Sequence, residues 1–301
     1  MRRMEGRLRH WLDARWNRVP ARIRRVVELS RTPPGHFYSP YPDLAEVTDR
    51  AGQIFGSQAQ YPGIDLREAA QLEMLDRFDA IAADFPWQAQ PGAGLRYGYD
   101  NRPFAWGDGL FLAAMLHETK PRRYIEVGSG WSTMVALDAR DLWLSDMEIT
   151  AIDPYPETLT SLLAGERPER FTMIETPVQD VDSAVFSALE SGDVLMIDST
   201  HVSKAGSDVH HLLFTVLPQL ASGVRVHVHD VFANFEYPQA WVEQRRAWTE
   251  SYLLRAFLQF NSDWQIVLFA NWLAEHRADR FGPNLDPARV NPGAGLWIER
   301  R

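Results

Sequence analysis

Cysteine is absent from the 301-residue sequence, which excludes disulfides, thiolate zinc sites and a cysteine nucleophile. Any metal would therefore be bound by carboxylates, imidazoles and water. Long apolar runs are also missing, since no stretch approaches the roughly 18–20 consecutive apolar residues that a membrane span needs. No apolar segment typical of a secretory signal follows the first residues. We therefore expect a cytoplasmic protein, and its 45% of hydrophobic residues is ordinary for a folded core.

Lysine is scarce as well. Lys120 and Lys204 are the only two lysines, so arginine supplies nearly all of the positive charge. Residues 1–31 hold ten arginines against three acidic residues, whereas the whole chain carries a net charge of −9. The remaining residues therefore carry −16, and so acidic a body argues against binding to a phosphate backbone. We expect a small-molecule partner and no nucleic acid.

The basic N-terminal segment has the pattern of an amphipathic helix, because Leu8, Trp11, Leu12 and Trp16 recur at helical spacing. Three interpretations are open. The helix packs on the rest of the chain or on a partner subunit, it lies on an anionic membrane surface, or it is an arginine-rich targeting segment. The first is the one we adopt, so a homo-oligomer is compatible with the sequence and membrane contact is not expected.

A proline-rich aromatic arm follows the basic segment. Residues 32–35 are typical of a linker, and residues 36–43 are too rich in proline for a helix. We predict that this arm reaches the mouth of an active site, where His36 and Tyr38 would contact a substrate. Residues 66–84 then predict a helix. Residues 1–104 are thus expected to form an N-terminal region of basic helix, aromatic arm and helical cap.

From residue 105 the pattern alternates between short apolar strands and helices. The predicted strands are residues 124–127, 149–153, 171–174, 193–198, 224–228, 265–269 and 296–299. Apolar strands separated by helices are typical of a parallel sheet that is covered on both faces. Right-handed crossovers then give a doubly wound α/β fold, which binds its ligand at the carboxyl ends of the strands. We therefore predict one Rossmann-like domain over residues 105–301, with an N-terminal helical extension.

The strongest chemical signal follows the first predicted strand. Gly128-Ser129-Gly130 allows a sharp turn that a ligand can approach closely, and the next helix would point free N–H groups at that ligand. A dinucleotide fingerprint would have a third glycine where this chain has Thr133. Glu126, just before the turn, favours an amine-bearing ligand over a pyrophosphate, and Asp153, after the second strand, is suited to bind a ribose. Together they predict a nucleoside ligand with an amino-acid tail.

This pattern resembles the class I S-adenosylmethionine-dependent methyltransferases over roughly residues 105–235. The resemblance implies that the segment from Glu126 to Gly130 holds the methionine part of the donor and that Asp153 binds its ribose. Val178 and Gln179, after the third strand, fall where this family contacts adenine. The expected function is transfer of a methyl group to a small molecule.

Two further motifs resemble the branch of this family that includes macrocin O-methyltransferases and the cephalosporin-hydroxylase-like group, and more loosely catechol O-methyltransferase. Residues 197–201 follow the fourth strand and residues 228–231 end the fifth. Several members of that branch hold magnesium through carboxylates at these strand ends. The resemblance therefore implies that Asp198 and Asp230 are candidate metal ligands and that Asp198, His201 and His229 are candidate catalytic residues, with either histidine as the base.

The expected reaction is methylation of a hydroxyl on a small metabolite, with magnesium as an additional cofactor. Methylation at nitrogen, which needs no metal, and a binding protein without methyl transfer remain open, because a fold does not fix a function. Glu236 lies in a loop after the fifth strand that either covers the substrate, with Glu236 as a contact, or is a plain loop. His227, inside that strand, is expected to be a hydrogen-bonded core histidine.

Overall fold

The computed structural model describes residues 32–301, and the predicted basic helix in residues 1–31 lies outside the described residues. The described chain falls into two compact units. Residues 32–54 and 239–247 belong to the first unit, and residues 55–238 and 248–301 belong to the second. We expected the sheet-containing domain to begin at residue 105, whereas the second unit begins at residue 55.

The described residues contain twelve α-helices, seven strands and five short 3-10 or π-helical turns. The helices are α1 Leu44–Asp49, α2 Ala51–Ile54, α3 Glu68–Ala82, α4 Gly107–Thr119, α5 Trp131–Trp143, α6 Glu157–Leu163, α7 Ser183–Ser187, α8 Asp208–His211, α9 Gln239–Glu243, α10 Glu250–Leu258, α11 Ala270–His276 and α12 Asp286–Val290. The strands are β1 Arg123–Val127, β2 Glu148–Ile152, β3 Phe171–Ile174, β4 Val194–Ile197, β5 Arg225–His229, β6 Trp264–Phe269 and β7 Gly295–Arg300. In this part of the chain, no helix is long and apolar enough to cross a membrane.

The second unit is built on one mixed sheet with the strand order β3-β2-β1-β4-β5-β7-β6. Strands β1 to β5 are parallel, and β7 pairs antiparallel with both β5 and β6. The predicted α/β fold with a mostly parallel, Rossmann-like sheet is therefore confirmed. Because β1 lies between β2 and β4, and β4 lies beside β5, the segments that follow these four strands meet at one edge of the sheet.

The core lies around the central strands. All four residues of β4 are buried, as are the last four of β1, because helices cover the sheet and apolar side chains are favoured on both faces. Helix α4 is buried on nearly all sides and packs between α3 and α5. Full burial of each large apolar side chain contributes about 1.5–3 kcal/mol, so these central strands are a rigid base for the residues that follow them.

The sequence pattern predicts a long helix over residues 207–220 and another over residues 181–189, and the structure differs at both. The predicted helix at 207–220 is α8, followed by a π-helical turn over Leu212–Val216 and a 3-10 turn over Leu217–Gln219. Pro218 lacks a backbone N–H and cannot continue an α-helix. The predicted helix at 181–189 shortens to α7, which begins after Asp182, whose side chain accepts a hydrogen bond from the N–H of Ala184.

Candidate active site

The first glycine of the turn after β1 is required for a steric reason. Gly128 has a φ of +86°, and a Cβ atom built on it would lie 2.0 Å from the carbonyl oxygen of Asp198. A side chain at this position would therefore meet both backbone strain and a direct clash. Because Asp198 follows β4, the turn after β1 and the segment after β4 are in backbone contact.

The N–H groups of the turn are used inside the chain. The N–H of Gly128 donates to the carbonyl of Ile152 (2.9 Å), and the N–H of Ser129 donates to Oδ2 of Asp153 (3.0 Å). The N–H of Gly130 donates to the hydroxyl oxygen of Thr133 at 3.1 Å. The turn is thus held in shape by the chain itself before any ligand arrives.

Asp153 lies at the end of β2 and is partly exposed. Its Oδ2 accepts a second hydrogen bond from the Ser129 hydroxyl at 2.9 Å, and its Oδ1 accepts one from the N–H of Tyr155 at 2.8 Å. An ionised carboxylate has about four acceptor positions, so Asp153 is fixed in orientation and still has room to accept from a ligand hydroxyl.

A cleft of about 510 Å³ opens at this edge of the sheet. It collects residues that follow β1, β2, β3 and β4, and its lining includes Gly128, Asp153, Val178, Gln179 and Asp198. The Gln179 side-chain amide donates to the carbonyl of Gly206 at 2.9 Å. The cleft therefore brings together most of the residues predicted to bind the donor. In the open α/β sheets of this type, ligands bind in such a crevice.

Glu126, Ser129 and Gly130 are not among the residues that line the cleft, and Glu126 is the one whose side chain is enclosed by hydrogen-bond donors. Its side chain points into the protein and is 0% exposed. Its carboxylate accepts hydrogen bonds from the hydroxyls of Tyr124 (2.9 Å), Ser132 (3.1 Å) and Thr133. Burial raises the pKa of the Glu126 carboxyl to about 7, although the three hydroxyl donors oppose this shift. Ser132 and Thr133 lie in the first turn of α5, which Gly130 precedes.

Beside the cleft lies a cluster of three side chains from two strand ends. Nε2 of His201 is 3.3 Å from Oδ1 of Asp198 and 3.5 Å from Oδ2 of Asp230. One potential ligand atom from each of the three residues lies within 4.8 Å of the others. Burial alone would raise the pKa of Asp198, but His229 and His201 outweigh it and hold this pKa below the usual value. Asp198 belongs to both the cluster and the cleft.

His201 is oriented from behind by Glu250, the first residue of α10. Nδ1 of His201 lies 2.9 Å from Oε2 of Glu250, and the Ser199 hydroxyl donates to Oε1 of Glu250 at 3.1 Å. The ring centroid of Trp248 lies 4.4 Å from that of His201. Burial opposes protonation, but the hydrogen bonds to Asp198 and Glu250 raise the pKa of His201 to about 10.

Two members of the cluster have strained backbones. His201 has a φ of +58° and Asp230 a φ of +56°, in the left-handed region that non-glycine residues rarely adopt. Such conformations cost on the order of 1–3 kcal/mol and persist where the surroundings enforce them. Both side chains are thereby turned toward the same point.

His229 lies at the rim of the cluster, and it is buried. Its Nε2 is 3.9 Å from Oδ1 of Asp230, and its Nδ1 is 3.3 Å from Nε2 of His227. The ring of Phe104 packs on it with centroids 5.1 Å apart. Burial disfavours the imidazolium form, but Asp198 and further carboxylates nearby raise the pKa of His229 above its usual value. His227, expected to be a core histidine, is buried in β5.

Sequence reasoning missed two carboxylates at this edge. One is Glu250, which is 49 residues from its partner His201. The other is Asp108, in the first turn of α4, whose Oδ1 accepts from the N–H of Ala294 at 2.9 Å. Burial raises the pKa of Asp108 to about 6, with His229 opposing the shift. An acidic residue in the first turn of a helix is ordinarily a helix stabiliser, so the sequence carries no signal for either role.

The predicted substrate residues belong to two different units of the chain. His36 and Tyr38 belong to the first unit, where Nδ1 of His36 accepts from the N–H of Tyr38 at 3.1 Å. Glu236 is partly buried in the second unit and accepts from the hydroxyl of Tyr252 at 2.8 Å. Their roles toward a substrate stay predictions.

The donor set of the cluster fits a divalent cation. Both ring nitrogens of His201 face carboxylate oxygens, one toward Glu250 and the other toward Asp198 and Asp230. Ionised carboxylates accept hydrogen bonds and donate none, and a neutral imidazole has only one N–H. If Nδ1 carries that N–H, the lone pair of Nε2 faces the oxygens of Asp198 and Asp230, which is unfavourable. Either a second proton on the ring or a bound cation would remove this repulsion. The carboxylate behind Nδ1 is the arrangement found behind metal-bound histidines.

A family model of a methyltransferase domain matches residues 125–231, which span the glycine turn, the cleft and the cluster. An uncharacterized protein of Archaeoglobus fulgidus is 35% identical over 165 residues, and the match covers 52% of this chain and 73% of the relative. The family model therefore includes the segment that carries Gly128, Asp153, Asp198, His201 and Asp230.

Three solved structures show distant similarity. The methyltransferase PaMTH1 of Podospora anserina, bound to S-adenosylhomocysteine, is 17% identical with a TM-score of 0.44, covering 86% of this chain and 97% of its own. The O-methyltransferase TomG of Streptomyces achromogenes is 15% identical with a TM-score of 0.40, covering 85% and 95%. The cmcI-D160 structure with magnesium and S-adenosylmethionine is 16% identical with a TM-score of 0.36, covering 63% and 68%.

Proposed function

Because the chain belongs to the class I S-adenosylmethionine-dependent methyltransferases, we propose that it transfers the donor's methyl group to a hydroxyl of a small metabolite. One observation carries this proposal. Asp198 lines the cleft of about 510 Å³ and also belongs to the carboxylate–histidine cluster. A donor in the cleft and an acceptor at the cluster would therefore meet at one side chain.

The cleft supports a donor orientation that agrees with the strand order. The turn from Gly128 to Gly130 would hold the methionine part, and Asp153 would accept from the ribose hydroxyls with its remaining acceptor positions. Val178 and Gln179, at the end of β3, would border the adenine. These assignments follow the order of the strands across the sheet, from β1 through β2 to β3.

The bound donor supplies an electrophilic methyl group on a sulfonium. The chain then has two tasks, which are to align the acceptor with that group and to remove the acceptor's proton. In this proposal Asp198 and Asp230 would bring the acceptor hydroxyl into line with the donor. We assign the proton-accepting role to His229 rather than His201, because both nitrogens of His201 already face carboxylates.

Asp198, Asp230 and His201 are the residues that would hold a magnesium ion, whose contribution would be to lower the pKa of the acceptor hydroxyl. Two carboxylates are typical for magnesium, which keeps several waters and prefers oxygen ligands. His201 thereby enters as a third candidate ligand, whereas the sequence indicated the two aspartates alone. We further propose that the protein has no nucleic-acid partner, because its net charge is −9, and that it is cytoplasmic, which its lack of cysteine favours.

Methyl transfer from radiolabelled S-adenosylmethionine to mixtures of small hydroxylated metabolites tests the proposal, with and without a chelator. We expect labelled product that disappears on chelation and returns with added magnesium. Transfer to amines that is indifferent to the chelator would instead support nitrogen methylation. Stoichiometric donor binding without transfer to any acceptor would contradict an enzymatic role and support a binding protein.

A further inference from the structure

We infer that Glu126 is a positioning residue, which holds the glycine turn from inside the protein and does not contact the donor. This inference rests on the proposed function, because it concerns how the donor-binding turn is kept in shape. An acidic residue at this position suggests an ion pair with the donor's ammonium group. The surroundings of Glu126 point to another role.

The carboxylate of Glu126 is fully enclosed. It is 0% exposed, and it is not among the residues that line the cleft. Its Oε2 accepts from Tyr124 and Ser132, and its Oε1 accepts from Thr133. A ligand's ammonium would have to displace these donors and reach an enclosed group, which carries the full desolvation penalty of both charges.

The hydrogen bonds form a relay from β1 to the turn. The Thr133 hydroxyl gives its proton to Glu126, so a lone pair of the same oxygen remains to accept from the N–H of Gly130, at 3.1 Å. Ser132, on the same first turn of α5, donates to the other carboxylate oxygen. Glu126 thereby orients the hydroxyl that fixes the last residue of the turn.

This relay also explains the residue that departs from a dinucleotide fingerprint. The third glycine of such a fingerprint is replaced here by Thr133. A glycine would leave the N–H of Gly130 without its acceptor and the Glu126 carboxylate with one donor fewer. The pair Glu126 and Thr133 is therefore one functional unit, in which the acid acts through the hydroxyl.

Tyr124 completes the enclosure from the strand itself. Residues two apart on a strand share a face, so Tyr124 and Glu126 both point to the side of the sheet on which α5 begins. Tyr124 is fully buried and donates to the carboxylate at 2.9 Å. The carboxylate is thus fixed by the strand on one side and by α5 on the other.

Calorimetry on Glu126→Gln, Thr133→Val and the double variant tests the inference, with two ligands. One is S-adenosylhomocysteine, and the other is its analogue without the amino group. We expect Glu126→Gln to weaken both ligands by the same factor, about 5- to 15-fold for a lost hydrogen bond. Thr133→Val should have a similar effect, and the double variant should lose little more than either single one.

Two further variants keep the result interpretable. Thr133→Ser retains the hydroxyl and should restore wild-type affinity, which a requirement for threonine packing alone would not allow. Glu175→Gln makes the same chemical change on an exposed carboxylate after β3 and should have no effect. If Glu126→Gln fails to fold, the comparison of Thr133→Val with Thr133→Ser still decides whether the hydroxyl relay holds the turn.

Other outcomes would overturn the inference. A loss in Glu126→Gln that is confined to the ligand with an amino group would mean a direct ion pair to the donor. Additive losses in the double variant would mean that Glu126 and Thr133 act independently. Failure of the wild-type protein to bind S-adenosylhomocysteine would overturn the proposed function along with the inference, so the two failures are distinguishable.

Discussion

Nδ1 of His201 lies 2.9 Å from Oε2 of Glu250, and both side chains are buried. This contact joins the segment after β4 to the first residue of α10. The N–H groups of Thr249 and Glu250 both donate to the carbonyl oxygen of His201, at 2.8 and 3.1 Å. The histidine is therefore fixed at its backbone and at its ring by the same turn of α10, and its Nε2 is directed at Asp198 and Asp230.

Glu250→Gln should weaken binding of a divalent cation. The change keeps the shape but removes the charge that fixes the ring orientation and raises the basicity of His201. Loss of such an outer partner typically costs 10- to 100-fold in metal affinity or activity. Titration with Mn²⁺ followed by electron paramagnetic resonance measures it, with Glu175→Gln as the control. Wild-type affinity in a folded Glu250→Gln protein would contradict the orienting role.

Asp198→Ala and Asp230→Ala should each abolish both cation binding and methyl transfer. Each variant removes one of the three ligand atoms that lie within 4.8 Å of one another. Affinity for S-adenosylhomocysteine should stay within a few-fold of the wild-type value in Asp230→Ala, because Asp230 does not line the cleft. Asp263→Ala, an exposed residue before β6, is the matched control. Cation binding that survives in both variants would rule out this site.

Asp153→Ala should weaken S-adenosylhomocysteine binding. A lost pair of hydrogen bonds to a charged carboxylate costs roughly 2–3 kcal/mol, or about 30- to 150-fold in affinity. Because Asp153 also holds Ser129, the variant Ser129→Ala separates the two effects and should lose much less. Calorimetry provides the measurement, and an unchanged affinity in folded Asp153→Ala would exclude the ribose assignment.

Gly128→Ala should destabilise the protein and abolish donor binding. The new methyl group would lie 2.0 Å from the Asp198 carbonyl oxygen, at a φ of +86°. Strain and overpacking together are expected to cost roughly 2–4 kcal/mol. Gly92→Ala is the control, since a Cβ there meets only a Leu95 methyl group at 3.6 Å. Urea unfolding compares the two, and equal stabilities would refute the steric argument.

The free energy of unfolding should depend on pH through the ionisation of Glu126. Its pKa is about 7 when folded and near 4.3 in an unfolded chain, so the folded state binds the proton more tightly. The contribution of Glu126 is therefore most favourable below pH 4 and declines as the pH rises to 7. The decline amounts to about 3 kcal/mol at 1.36 kcal/mol per pKa unit.

Urea unfolding of wild type and Glu126→Gln at pH 5 and pH 8 isolates this contribution. The stability of the wild type relative to the variant should fall between the two pH values, because the amide does not ionise. Glu175→Gln, on the surface, should show no such trend. A difference that stays constant across this range would mean that Glu126 ionises equally easily in both states.

The fold class and the family were predictable from the sequence, and both are confirmed. Strands that are apolar along their whole length and separated by helices have few arrangements other than a covered parallel sheet. The predicted strands agree with the observed ones to within one residue at each end; for example, residues 193–198 were predicted where β4 is Val194–Ile197.

The candidate site is less predictable than the fold, because part of it depends on contacts between residues that are far apart in the sequence. The strand-end positions of Asp153, Asp198 and Asp230 follow from the topology, and so the sequence predicts them. By contrast, no local pattern in the sequence predicts that β7 lies between β5 and β6. The role of Glu250 could not be predicted for the same reason, because its partner His201 is 49 residues away in the sequence. The sequence also gives no sign that the Glu126 carboxylate accepts hydrogen bonds from Tyr124, Ser132 and Thr133 inside the protein.

The approach of Gly128 to the carbonyl of Asp198 links two binding events. The first would occur at the donor turn and the second at the carboxylate that would hold a cation. The two segments are joined by this approach and by the hydrogen bond from the N–H of Asp198 to the carbonyl of Val127 at 2.9 Å. Coupling free energies between two sites are reciprocal. If the bound donor raises the affinity for the cation by some factor, the bound cation must raise the affinity for the donor by the same factor. The stability of the complex with both ligands is therefore the same whichever of them binds first.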